Sequence, residues 1–99
     1  MKTLVIAGTY DEANDWIKRD TMRRWNAGDT SSTMSDYIYC NNADRIRGMK
    51  DPHGVFIGTW RQRKDMEGIF ATLLSSITIT NKAHRVVTQL WGEWNENRR

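Results

Sequence analysis

Two apolar runs, at positions 4–7 and 55–57, end in nearly the same way. The first leads into Gly-Thr-Tyr at 8–10, and the second leads into Gly-Thr-Trp at 58–60. Neither run alternates with polar residues, which is typical of strands that are buried on both faces of a parallel sheet. A helix-prone segment follows each turn. The repeated pattern therefore predicts strand, turn and helix units of an α/β fold.

The first unit is a predicted strand over 3–7 followed by a helix. Thr9 and Glu12 have the spacing of a capping box, in which the hydroxyl and the carboxylate accept hydrogen bonds from backbone N–H groups at the helix start. Apolar residues then recur on one face of the helix. The helix is predicted to reach about Arg19, and positions 22–25 extend it if the pattern continues.

The middle of the chain is less regular. Positions 26–35 are rich in Gly, Asp, Ser and Thr and predict a mobile loop. Positions 36–40 predict a second, shorter strand, and 41–49 predict a helical turn. Asp-Pro-His-Gly at 51–54 is a strong turn signal, because Pro presets one backbone dihedral and Gly tolerates a positive one. The third strand follows directly.

Two amphipathic helices are predicted in the last third, the first of them capped by Asp65. Its apolar positions recur at helical spacing; they are Met66, Ile69, Phe70, Leu73, Leu74 and Ile77. The second helix has the same spacing and frays after Gly92; its apolar positions are Ala83, Val86, Val87, Leu90, Trp91 and Trp94. Between the helices, the alternating, β-branched positions 77–80 favour a short fourth edge strand over a plain connector.

These elements predict one α/β domain over residues 1–99, a small three-layer sandwich with a parallel sheet of three or four strands flanked by helices. If the first strand lies between the second and the third, the two Gly-Thr-aromatic turns adjoin at the carboxyl edge of the sheet. Ligands of open α/β sheets usually bind at that edge.

The paired turns are the candidate ligand site, with an anion such as phosphate as the expected ligand. Its candidate residues are Thr9, Tyr10, Thr59, Trp60, Arg61, Arg63 and Lys64. A purely structural explanation is favoured, in which Gly makes room, Thr caps and the aromatic residues cover the end of the sheet. Neither a G-x-G-x-x-G motif nor a P-loop lysine motif is present.

Charge changes this picture little, because 15 basic residues are set against 12 acidic ones. Basic residues cluster next to aromatic ones, at 23–25 and 60–61, so nucleic acid is a possible partner through phosphate contacts and base stacking. The sequence contains no recognition-helix, zinc-finger or RNA-recognition signature. Nucleic-acid or nucleotide binding is therefore the alternative hypothesis and not the leading one.

Catalytic and metal chemistry lack a sequence signal. His53, His84 and Cys40 are not at metal-ligand spacing, and each has a structural explanation at a turn, a helix border or a strand end. We expect no metal, no cofactor and no enzymatic activity. A single cysteine and the lack of a long apolar segment favour a cytoplasmic protein without a membrane span.

Trp91 and Trp94 are weighed separately, because a helix close to a polar C-terminus need not bury both indoles. Trp91 is predicted to be core. Trp94 is predicted to be exposed, since it lies beyond Gly92 and precedes polar residues. An exposed Trp is a typical anchor for self-association or for a partner protein.

Several segments resemble small accessory proteins of bacteriophages. They are Ile6-Ala7-Gly8-Thr9-Tyr10-Asp11-Glu12-Ala13 with Trp16, Asp36-Tyr37-Ile38-Tyr39, Arg47-Gly48 before Asp51-Pro52, and Val55-Phe56-Ile57-Gly58-Thr59-Trp60. The resemblance covers about the first two-thirds of the chain and implies no site residues. With the absence of catalytic motifs and the aromatic-rich composition, the resemblance leads us to expect a non-enzymatic protein that binds a host protein in the host cytoplasm, for host takeover or as an inhibitor of host defence. A homo-oligomer formed through Trp94 is a further possibility.

Overall fold

The computed structural model describes residues 2–31 and 33–97, which form a three-stranded parallel sheet with helices on both faces. The strands are β1 (Thr3–Ala7), β2 (Tyr37–Tyr39) and β3 (His53–Ile57). The helices are α1 (Tyr10–Asn26), α2 (Met66–Ser76) and α3 (Lys82–Asn97). Short 3₁₀ segments lie at Met34–Asp36, Ala43–Arg45 and Trp60–Gln62. None of the described helices is both long and apolar enough to span a membrane.

The strand order is β2-β1-β3, so β1 is central and parallel to both neighbours. The register pairs Leu4 with Ile38 on one side and Val5 with Val55 on the other. All five β1 residues are buried, as expected for a strand with helices on both faces. The predicted small α/β sandwich is confirmed.

Helix α1 covers one face of the sheet. The predicted capping box is present: the Glu12 backbone N–H donates to Thr9 Oγ1 at 3.2 Å, and the Thr9 N–H donates to Glu12 Oε1 at 3.1 Å. The helix continues past Arg19 to Asn26. Its core with the sheet is small and consists of Val5, Ala7, Ala13, Ile17 and Tyr37.

Helices α2 and α3 cover the other face with a larger, aromatic core. Phe70 lies at its centre, with its ring 5.7 Å from Trp91, 5.7 Å from Trp94 and 5.9 Å from Trp60. Apolar side chains of the sheet, including Leu4 and Ile6, pack against the same cluster. Because large aromatic side chains bury much area each, this core compensates for the modest apolar content of the chain.

The predicted fourth strand at 77–80 is wrong, because this segment is a connector that ends in a turn. Its backbone groups have other partners. The N–H and the hydroxyl of Thr78 donate to the Asp51 carboxylate, and the Thr78 carbonyl accepts from Asn81 N–H at 2.8 Å. The Ile77 N–H is bonded to the Leu74 carbonyl and the Thr78 N–H to a side chain, so neither is available for pairing with a strand.

The predicted exposure of Trp94 is also wrong. Its side chain is 5% exposed, and its indole Nε1 donates to the Arg61 carbonyl at 3.2 Å. Helix α3 passes through Gly92 and ends at Asn97 without the predicted fraying. Trp94 follows Val87 by seven residues, so it lies on the same buried face of the helix. Trp91 is partly buried and stacks on Phe70.

Replacing Trp94 by Ala is expected to destabilise the folded protein, since it removes a buried indole and its hydrogen bond. We expect the free energy of unfolding to fall by about 3–5 kcal/mol. Trp25→Ala is the matched control, because Trp25 is half-exposed, and it is expected to cost about 1 kcal/mol or less. Urea denaturation followed by circular dichroism measures both. Equal losses for the two variants would contradict the assignment of Trp94 to the core.

Candidate functional site

The two Gly-Thr turns lie side by side at the carboxyl edge of the sheet, as the sequence predicts for a central β1. Their contact is so close that a Cβ on Gly8 would lie 2.0 Å from Thr59 Oγ1 and 2.7 Å from the Thr59 backbone. Gly58 has a φ of 58°, and a Cβ there would meet the Glu12 carboxylate at 2.6 Å. Glycine is therefore required in both turns by close approach, and in the second also by its backbone conformation.

The Glu12 carboxylate occupies the position that the sequence predicts for a bound anion. It accepts from Thr59 Oγ1 at 2.8 Å and from Thr59 N–H at 3.2 Å, in addition to the capping bond from Thr9 N–H. The hydrogen bond from the Thr59 side chain, with those from backbone N–H groups, lowers the pKa of Glu12 below its ordinary 4.5. The donors of the two turns therefore already bind an anionic group of the chain itself.

Arg63 is likewise held inside the structure. Its guanidinium donates to the carbonyls of Ala7, Cys40 and Asn41 at 3.1, 2.6 and 3.0 Å, where β1 and β2 end. It also donates to both Asp65 carboxylate oxygens, at 2.9 and 2.8 Å. Only 8% of the Arg63 side chain is exposed. Arg63 thus joins the ends of two strands and is not presented to a ligand.

The other predicted site residues do not form a common site. Trp60 is buried in the large core, and Arg61 lies over its ring at 4.5 Å. Lys64 is exposed and Tyr10 is 62% exposed, with the Tyr10 ring 5.7 Å from that of Tyr39. The structure therefore brings together Thr9 and Thr59, whose polar groups bind Glu12, whereas Arg63 binds the ends of β1 and β2.

A surface groove of about 600 Å³ lies beside the edge strand β2. Its lining residues are Tyr10, Tyr37, Ile38, Tyr39, Asn41 and Arg45. The groove combines aromatic rings with one guanidinium, and at Tyr39 and Asn41 it reaches the carboxyl end of β2. We call it the β2 groove.

A second groove, of about 430 Å³, is almost wholly apolar and lies at the C-terminal end of α1. Its lining residues are Lys18, Thr21, Met22, Trp25, Thr33 and Met34. Three of these expose large apolar side chains: Met22 is 54% exposed, Trp25 48% and Met34 44%. We call this surface the α1 groove.

The α1 groove exists because α1 is longer than the sheet that it covers. The helix has 17 residues and is about 25 Å long, whereas a five-residue strand such as β1 spans about 17 Å. The last turns therefore extend beyond the sheet, and Met22 and Trp25 lie beside the 3₁₀ segment Met34–Asp36. The sequence signal for this surface was the continuation of the apolar pattern of α1 to Met22 and Trp25.

A buried carboxylate holds this end of α1 in place. Asp20, 8% exposed, accepts from the Tyr37 hydroxyl of β2 and from the Arg23 guanidinium, and it lies 3.4 Å from Arg24 Nε. Burial alone would raise the pKa of Asp20, but these hydrogen bonds and positive charges lower it overall. Sequence analysis missed Asp20, since its partner Tyr37 is 17 positions away.

The residues considered for metal or thiol chemistry do not form a site in the described part of the chain. Cys40 is buried, its thiol donates to the Asn42 carbonyl at 3.3 Å, and burial raises its pKa to about 11. Such a thiol is a poor nucleophile at neutral pH. Residues 2–31 and 33–97 contain no cluster of three or more His, Cys, Asp or Glu side chains that could hold a metal ion.

The fold and these surfaces define a small α/β protein in which the β2 groove and the α1 groove are open to solvent. Searches for similar sequences and structures, made against protein-family models, curated proteins and solved structures, find no significant match to this chain. The functional argument therefore depends on the surfaces themselves.

Replacing Arg63 by Met tests its structural role, because Met keeps an apolar stem but removes the donors to three carbonyls and to Asp65. We expect the free energy of unfolding to fall by about 3 kcal/mol. Lys64→Met, on the exposed neighbour, is the control and should change it by no more than about 0.5 kcal/mol. Chemical denaturation of both variants decides the matter. If Arg63→Met were as stable as the wild type, the guanidinium would be available to a ligand after all.

Glu12 is expected to make stability depend on pH. A carboxylate whose pKa is lowered by folding contributes stability above its ordinary 4.5, and that contribution is lost as the pH falls through the lowered value. Glu12→Gln should remove this part of the acid dependence of the thermal midpoint. Thr59→Val should reduce it, and combining both changes should add little to Glu12→Gln alone. Strictly additive effects would show that the Glu12–Thr59 bond is not responsible.

Proposed function

We propose that this chain is a non-enzymatic binding protein that docks a partner protein in the α1 groove. The observation that carries the proposal is the exposure of Trp25, Met22 and Met34 side by side on one surface. Contiguous apolar surface is costly to leave in water and commonly marks a contact with another protein.

The side chains of the α1 groove suit such a contact. Tryptophan is strongly enriched among the residues that dominate binding energy, and a half-exposed indole still has area to bury. The two methionines are unbranched and adaptable, so they can fit the shape of a partner side chain. The groove of about 430 Å³ is large enough to accept one or two such side chains.

The identity of the partner is proposed from the resemblance to small bacteriophage accessory proteins. It favours a protein of the bacterial host, bound in the host cytoplasm, with redirection or inhibition of that protein as the outcome. Trp94 loses its role in this proposal, because the argument for it depended on exposure and the side chain is buried. Trp25 takes its place as the anchor.

Nucleotide or nucleic-acid binding is the alternative, and the β2 groove is where it has support. Tyr10 and Tyr39 offer aromatic rings for stacking, and Arg45 offers a charge for phosphate. The turns beside this groove contribute less than the sequence predicts, since Glu12 and not a ligand binds the donors of Thr59. Protein binding at the α1 groove is therefore the better supported function.

The test is capture of partners from a lysate of the bacterial host by immobilised protein, with bound proteins quantified by mass spectrometry. A specific partner should be enriched by the wild type and reduced about tenfold or more by Trp25→Ala, as expected for a central anchor. Tyr10→Ala is the matched control, because it removes an exposed aromatic side chain from the other end of the same helix. Circular dichroism establishes that both variants are folded.

Equal capture by the wild type and Trp25→Ala would contradict docking in the α1 groove. Loss of the partner only with Tyr10→Ala would move the site to the β2 groove. Retention of nucleic acid that weakens steeply with added salt, without any enriched protein, would support the alternative.

A further inference from the structure

Three rows of side chains run along the exposed end of α1, each with members three or four positions apart. Thr21 and Trp25 form one row, and Lys18 and Met22 form the next; both rows line the α1 groove. Arg19, Arg23 and Asn26 form the third row and, with Lys18 and Met22, line an adjoining groove of about 420 Å³. Met22 and Trp25 therefore form an apolar stripe on this helix, and Lys18, Arg19 and Arg23 form a basic stripe next to it.

The basic stripe carries uncompensated positive charge. Two guanidiniums, those of Arg23 and Arg24, share the single carboxylate of Asp20. Lys18 has no ion-pair partner within residues 2–31 and 33–97. Arg19 pairs with Asp15, but both side chains are more than 60% exposed, and such surface pairs are weak in water.

The acidic residues of the neighbouring loop, Asp29 and Asp36, are not among the residues that line the two grooves. The Asp36 carboxylate accepts from the backbone N–H of Thr33, and the Asp29 carboxylate accepts from the Ser31 hydroxyl. A partner on this surface thus meets apolar side chains on one side and, on the other, a lining whose charged side chains are all basic.

We propose that the occupant of the α1 groove is an acidic amphipathic helix of the partner protein. This inference rests on the proposed function and specifies the chemistry of the docking segment. Its apolar residues, three and four positions apart, enter the groove at Met22, Trp25 and Met34. Its Asp and Glu residues, on the adjacent stripe, face Lys18, Arg19 and Arg23.

A helix fits this surface because the two stripes run parallel to the axis of α1. Residues four apart on α1 are separated by about 6 Å along the axis, and those on a partner helix repeat at the same spacing. Side-chain ridges of one helix can then pack between those of the other. A bare anion would use the basic stripe but leave the indole of Trp25 and the two methionines without a role.

The experiment uses synthetic, fluorescently labelled helical peptides of about 16 residues, a length at which helicity can be supported in solution. The acidic probe has Leu at helical spacing and Glu on the adjacent stripe. Its matched control replaces every Glu by Gln and keeps the Leu residues. Binding to the full chain is measured by fluorescence anisotropy, at about 50 mM and about 500 mM salt, where screening differs strongly.

The acidic peptide is expected to bind at least about tenfold more tightly than its Gln counterpart at low salt, and the difference should shrink at high salt. Lys18→Glu should weaken the acidic peptide, whereas Lys82→Glu, an exposed lysine on α3, should not. Trp25→Ala should weaken both peptides, since both use the apolar groove.

Each alternative result has a distinct meaning. If the Gln peptide binds as tightly as the acidic one and both depend on Trp25, the acidic partner is excluded while docking in the groove stands. If neither peptide binds but Trp25→Ala still abolishes capture of the host protein, the helical occupant is wrong and the proposed function stands. If a labelled oligonucleotide binds with dependence on Lys18 but not on Trp25, the surface recognises nucleic acid and the inference is overturned.

Discussion

The carboxyl edge of the sheet depends on the hydrogen bonds that the Arg63 guanidinium donates. The guanidinium reaches the backbone carbonyls at the ends of β1 and β2, while Asp65 balances its charge. The Glu12 carboxylate joins the two Gly-Thr turns in a similar way, because it accepts hydrogen bonds from Thr9 and Thr59. Parallel α/β sheets usually keep this edge for ligands. In this chain, one basic and one acidic side chain occupy the strand-end carbonyls and the turn donors, so the open surfaces are the β2 groove beside this edge and the α1 groove at the other end of α1.

The parts of the fold that depend on local pattern were predictable. The buried run at 3–7, the Thr9–Glu12 capping box and the periodic helix 66–76 all follow from spacing along the chain. The partners of charged side chains were not predictable in this way. Glu12 and Thr59 are 47 positions apart. The segment 61–64 has three basic residues, and nothing in its sequence indicates which of them is buried. That choice depends on which carbonyls the folded sheet leaves without donors.

The tryptophans show that the burial of apolar residues is also only partly predictable from the sequence. Polar neighbours and Gly92 suggested an exposed Trp94, but tertiary packing on Phe70 keeps α3 helical to its end and buries that indole. Trp25 has an equally helical position, yet it is half-exposed because α1 extends beyond the sheet. Periodicity assigns a residue to a face of a helix. Whether anything covers that face depends on the relative lengths of the packed elements.

The α1 groove lies far from the contacts of Glu12 and Arg63 that stabilise the carboxyl edge of the sheet. Trp25 lies about 24 Å along the helix axis from Thr9, where Glu12 and Arg63 hold the turns and strand ends. Substitutions that far apart and without shared contacts act nearly independently on stability. Asp20 fixes the intervening part of α1 to β2 through Tyr37, so Met22 and Trp25 lie on a helix that is held against the sheet, while Thr33 and Met34 complete the groove from the segment that follows. A rigid surface loses less conformational entropy when a partner binds. The helix can therefore vary its exposed side chains to suit a partner while the carboxyl edge maintains the fold.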